Sequence, residues 1–125
     1  IEAMICGQTC FGENYVQEAV RKIENVFSLL EQRKLKLYPE WHFIGPIQSN
    51  KTHLIAQYFD WVHSIDRMKI ADRLSKSRDG NENPLNVCIQ VNTSGEATKH
   101  GTRPNNVLML AGHIKSLPNT SKICI

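Results

Sequence analysis

The sequence predicts an α/β fold of parallel (β/α) units, and three observations carry that prediction. Apolar runs short enough for strands alternate with stretches of helical spacing from end to end. No Asn-Gly or similar hairpin turn joins two of the runs. The clearest buried strand, PLNVCIQVN (84–92), is nearly continuous in apolar and β-branched residues, as strands covered on both faces are.

The elements follow in order. The first residues read as a helix ending at Gly7, and CFGENY (10–15) as a short strand with a polar exit. Val16, Ala19, Val20, Ile23, Val26, Phe27 and Leu30 recur at helical spacing, predicting a helix from Val16 to Leu35. Lys34 and Lys36 read as its solvated end. WHFIG (41–45) is the next strand. Ser49 or Asn50 is a good N-cap for a helix burying Leu54, Ile55, Tyr58 and Phe59. WVHSI (61–65) is the third strand, and Asp66 is expected to cap a helix carrying Ile70, Ala71 and Leu74. RDGNENP (78–84) reads as a loop before the strand at 84–92. The polar stretch TSGEATKHGT then leads to a helix with Pro104 in its first turn and Val107, Leu108, Leu110, Ala111 and Ile114 inside. SKICI begins a fifth strand.

Five strands and four crossovers of this kind imply a parallel sheet. Right-handed connections put every strand-to-helix loop on one edge. Glu13 and Asn14, Gln48 to Lys51, Ser64 and Asp66, and Asn92 to Lys99 therefore share that edge, where α/β proteins bind ligands.

Composition narrows the function classes. With 125 residues the chain suits one domain or part of one, and 41% hydrophobic residues suffice for a core. A net charge of +3, with no basic run, gives no footprint for nucleic acid. No apolar stretch approaches the roughly 18 residues of a membrane span, and the first ten residues do not read as a signal peptide. Cys6, Cys10, Cys88 and Cys124 form no CxxC pair, which argues against a zinc site. Cys88 and Cys124 lie in apolar runs and are expected to be buried free thiols, as in a reducing, cytoplasmic setting. The Asn-x-Ser/Thr triplets at Asn50, Asn92 and Asn119 read as chance. Both ends fall inside expected elements, so the chain reads as an excerpt of a longer domain.

Individual residues leave two readings open. GEATKHG (95–101) lacks the Gly-Lys-Ser/Thr ending of a P-loop. Lys99 is then either part of a mobile loop or a charge near a bound anion. His42 is either a core histidine or a ligand contact. Strand alternation puts it opposite Trp41 and Phe43, and those rings suit the helix-covered side, which turns His42 inward. Asn14 alone is explained by local bonding to backbone. Trp41 and Trp61 read as core. No Ser-His-Asp order, metal cluster or carboxylate pair stands out.

FGENYVQEA, WHFIGPIQSNKT, FDWVHSIDR and PLNVCIQVNTSGEATKHG, in that order, closely resemble the pyridoxal phosphate homeostasis protein family (YggS/PROSC type). The resemblance covers nearly the whole chain, with the segment from Pro104 onward matching more loosely. It implies a TIM-type barrel like the N-terminal domain of alanine racemases. This chain would then be about half of a (β/α)8 barrel of about 250 residues. The family binds pyridoxal 5′-phosphate as a Schiff base on a lysine. It carries or buffers that cofactor in vitamin B6 and amino-acid homeostasis, with no established turnover. By motif, Asn14 and His42 would line the cofactor ring, and Lys99 would accept or relay the aldehyde. The family's covalent lysine ends a strand preceding the segment that begins here at Ile1, and its phosphate-gripping residues follow Ile125. The competing reading on the same fold is a fragment of an amino-acid racemase or decarboxylase, which needs a second base. Neither nucleic acid nor membrane is an expected partner. Self-association through open sheet edges is expected of the isolated excerpt.

Overall fold

The computed structural model describes residues 1–80 and 83–125. Asn81 and Glu82, in the middle of the expected 78–84 loop, lie outside the described residues. Helix α1 (Glu2–Ile5) leads to strand β1 (Cys10–Glu13), helix α2 (Val16–Gln32) and strand β2 (Glu40–Phe43). A 3-10 turn (Ser49–Lys51) runs into α3 (Thr52–Tyr58), followed by β3 (Trp61–Ile65), α4 (Met68–Ser77) and β4 (Leu85–Ile89). A second 3-10 turn (Pro104–Asn106) opens α5 (Val107–Lys115), and β5 (Thr120–Cys124) completes the sheet.

All neighbouring strands are parallel, and their spatial order is β1-β2-β3-β4-β5, the order of the chain. That order never reverses, so right-handed crossovers stack every connecting helix on the same face. Trp41, Phe43, Val62, Leu85, Val87 and Ile89 point into that layer. There they meet Ile23, Ile55, Ile70, Leu74, Leu110 and Ile114 of the helices in one core. The alternate residues Glu40, His42, Trp61, His63, Asn86 and Cys88 face the other way and are only half-buried. A doubly wound sheet carries helices on both faces. Sequential strands with helices on one face form the wall of a (β/α) barrel, whose other face is the barrel interior.

Several local expectations are corrected. Helix α2 stops at Gln32. Lys34 adopts φ 54°, and the amides of Lys34 and Leu35 return to the carbonyls of Glu31 and Leu30 at 3.0 and 2.9 Å. This is a Schellman ending with lysine where glycine is usual. Asp66 does not cap α4. Its carboxylate is taken by Arg67 at 2.6 Å, and Arg67 holds the N-cap position without a side-chain bond to the helix. Leu108 is 84% exposed. The buried stripe of α5 runs through Leu110 and Ile114, and a residue two places earlier falls on the opposite side of a helix. In the helix at 52–58, Leu54 and Tyr58 are half-buried, while Thr52, Ile55 and Ala56 carry the contact. Cys124 is exposed and Cys88 only half-buried, because both project from the helix-free face of neighbouring strands. Trp41 is core, but Trp61 lies half-buried on that same helix-free face.

Arg78, expected to open a loop, is 4% exposed. Its guanidinium donates to the carbonyls of Ala56, of Phe59 at 2.8 Å and of Asn83 at 2.8 Å. Two of these acceptors belong to the last turn and C-cap of α3, where carbonyls lack helical partners. Burial lowers the Arg78 pKa, and the nearby charge of Asp60 opposes that shift.

Candidate functional site

The four strand exits converge on one rim, as predicted, and side chains brace it. Ser64 Oγ donates to the carbonyl of Gly45, fastening the exit of β2 to β3. Arg67 donates to the carbonyl of Ile47 at 3.3 Å. Glu13 turns toward α2, where Lys22 pairs with it at 2.6 Å. After β4, Asn92 organises the loop: its amide donates to the carbonyls of Glu96 at 2.9 Å and Lys99 at 3.3 Å. Its side-chain oxygen accepts the Gly95 amide at 3.0 Å. Val91 and Thr102 then pair as an isolated bridge, closing the loop on itself.

Three adjoining clefts follow this rim. The first, about 460 Å³, is lined by Asn14, Gly45, Gln48 and Lys51 among others. The second, about 270 Å³, shares Pro46 and Gln48 with it and reaches Ser64, Gln90 and His100. The third, about 430 Å³, shares Gln90 and His100 and extends to Asn92 and Lys99. Asn14 and Lys99 thus lie toward opposite ends of one trough. The Lys99 ammonium is exposed and pairs with Glu96 of its own loop at 3.2 Å.

His42 lines none of these three clefts. As alternation predicted, it projects from the helix-free face, where it sits in a cluster that sequence reasoning missed. Its Nε2 lies 2.9 Å from Glu40 Oε1 and its Nδ1 lies 2.9 Å from His63 Nε2. Trp61 stacks on it, with centroids 5.7 Å apart and planes within 3°. Cys10 Sγ is 3.5 Å from Glu40 Oε1. Gly12 sits opposite His42 in the neighbouring strand. Hydrogen bonds from His42, then from Cys10 and Trp61, hold the Glu40 carboxyl below its ordinary pKa, against the opposing effect of burial. His63 is also pushed down, by burial first and by the charge of His42 second. The neglected signal was parity: Glu40 and His42, like Trp61 and His63, are two apart on adjacent strands, and His42 stands in register with Trp61.

The sequence model described as "Alanine racemase, N-terminal domain" matches residues 1–125. The "Pyridoxal phosphate homeostasis protein" of Haemophilus influenzae is 53% identical over 119 residues, covering 95% of this chain and 48% of the relative. The protein of the same name from Vibrio cholerae is 56% identical over 95% of this chain and 49% of its own length. Among solved structures, PipY of Synechococcus elongatus without PLP superposes with a TM-score of 0.81 at 31% identity, over 97% of this chain and 53% of PipY. PipY with PLP bound gives a TM-score of 0.79 at 28% identity, over 99% of this chain and 56% of PipY. The chain therefore spans about half the length of the curated relatives it matches, and it belongs to the alanine racemase N-terminal-domain family.

Proposed function

We propose that this chain forms one wall of a pyridoxal 5′-phosphate site in a protein that carries or buffers the cofactor without turning over a substrate. The observation that carries the reading is the row of three adjoining clefts, sharing lining residues, along the strand exits, the place where (β/α) barrels bind ligands. Its first cleft has the size of a small-molecule site. Asn14, Gln48 and Lys51 give that cleft hydrogen-bond donors and a cation, which suits a flat, polar, anionic ligand. A relative of the same fold has been solved with PLP bound, and the curated relatives are named for its homeostasis.

In this reading Asn14 hydrogen-bonds the edge of the cofactor ring. His42 supports the site from the barrel interior, its ring orientation set by His63 and Trp61. Lys99 accepts or relays the aldehyde from the far end of the trough. When bound, the cofactor supplies an aldehyde to which an amine adds. The lysine that holds it covalently lies outside residues 1–125. Cytoplasmic location fits the described residues, no helix of which is long and apolar enough to cross a membrane. The chain expressed alone self-associates through the edges of β1 and β5.

Cofactor titration of the complete gene product tests this. Asn14→Ala should weaken PLP retention about tenfold or more by removing a polar contact to the ligand. His42→Ala should weaken it by removing the ring that Glu40 and His63 hold at 2.9 Å beneath the site, with circular dichroism native in both. Unchanged retention in both variants contradicts the assignment. The family description keeps a racemase in view. Incubation with L-alanine and PLP, followed by chiral chromatography, should yield no D-alanine, and steady D-alanine production establishes the enzyme instead.

A further inference from the structure

We propose that Cys10, Glu40 and His42 form a binding site for a divalent transition ion of the zinc type, inside the barrel and beneath the rim trough. One donor atom from each residue lies within 4.8 Å of the others, a separation that a single ion closes by small side-chain rotations. Thiolate, carboxylate and imidazole are the donor set of borderline-soft ions such as Zn(II), not of calcium or magnesium. Three protein ligands leave a fourth position open.

Two further features aim the ligands. His42 Nδ1 rests on His63 Nε2 at 2.9 Å, leaving Nε2 directed at Glu40. A ligating histidine is typically oriented by a partner on its other nitrogen. The Trp61 ring stacked on His42 limits rotation about the same axis. Cys10 and Glu40 open β1 and β2, so the site lies toward the N-terminal ends of the strands, away from the rim. On binding, the Cys10 thiol loses its proton to solvent and sulfur bonds the ion. Both rings take the Nδ1–H tautomer: His42 Nδ1–H donates to the bare Nε2 of His63, His63 holds its own proton on Nδ1, and the freed His42 Nε2 gives its lone pair to the metal.

Cobalt(II) titration of the complete gene product, freed of metal by chelation, reports directly on this site. One Co(II) per chain should bind with a thiolate charge-transfer band in the near ultraviolet, and Zn(II) should displace it. Cys10→Ser should abolish the band while keeping native circular dichroism and PLP retention. Glu40→Gln, which preserves side-chain shape, should weaken Co(II) at least tenfold with the band still present. His63→Asn should weaken binding by about 10–100-fold, as loss of an orienting partner does, again without loss of the band. Absence of saturable one-to-one binding overturns the proposal. A band that persists in Cys10→Ser overturns it equally, because the thiolate then comes from another cysteine such as Cys88 or Cys124. Unaltered affinity in His63→Asn removes His63 as the positioning residue.

Discussion

Gly45 packs so tightly on Asn14 that a methyl group added to it would stand 2.2 Å from the Asn14 carbonyl oxygen. The exits of β1 and β2 are thereby locked together at the mouth of the first cleft. The glycine of WHFIG and the asparagine of FGENY are thus two sides of one contact, and the spacing of neither motif could reveal it.

Gly45→Ala should therefore destabilise the protein by about 1–3 kcal/mol, the usual cost of overpacking, and should weaken PLP retention by displacing Asn14. Urea unfolding and cofactor titration measure the two effects. A variant of native stability and affinity means that the two backbones separate freely.

Arg78→Ala should cost about 3 kcal/mol or more. It strands the buried carbonyls of Ala56 and Phe59 and removes the bond to that of Asn83, and a single hydrogen bond to a charged group contributes about 1.5–3 kcal/mol. Arg78→Lys should recover only part of this, since an ammonium lacks the planar fork. Equal stability of Arg78→Lys and the parent in denaturant melts would refute the role of the fork.

Acidification should weaken the fold in two successive windows. The pKa of His63 is depressed below 6.5 by burial, so its contribution is complete above pH 6.5 and is lost as pH falls through its folded-state value. Glu40, depressed below 4.5, follows at lower pH with the same sign. His63→Gln should flatten the first window and leave the second. A stability-against-pH series in which His63→Gln tracks the parent contradicts this assignment.

Burial pushes the Cys88 thiol up to about 11, with Cys124 adding to the shift. At pH 8 only about one Cys88 in a thousand is thiolate, and the thiolate is the reactive form. Iodoacetamide mapped by mass spectrometry should label Cys88 last among the four cysteines, and its labelling should rise steeply above pH 9. Early labelling of Cys88 at pH 8 would contradict the shift.

The strands were legible because each alternates or runs apolar over a length too short for a helix. WVHSI matches β3 residue for residue. The inward turn of His42 was legible too, since Trp41 and Phe43 claimed the opposite face. The end of helix α2 is not legible in the sequence because it rests on Lys34 at positive φ, where the expected signal is glycine. The cluster around His42 went unread for a different reason. Cys10, Glu40 and His63 come from three strands and share no local motif. They meet only through the parallel register, which is set by packing of the whole layer. Arg78 reads as a loop residue in the sequence because its acceptors are backbone carbonyls, which every sequence position carries alike.

Reductive trapping tests most directly whether residues 1–125 wall a cofactor site whose covalent lysine lies elsewhere. The complete gene product is loaded with PLP, reduced with borohydride, digested and mapped by mass spectrometry. The expected result is one cofactor per chain, attached to a lysine outside residues 1–125. Attachment mainly at Lys51 or Lys99, or no attachment at all, would contradict it.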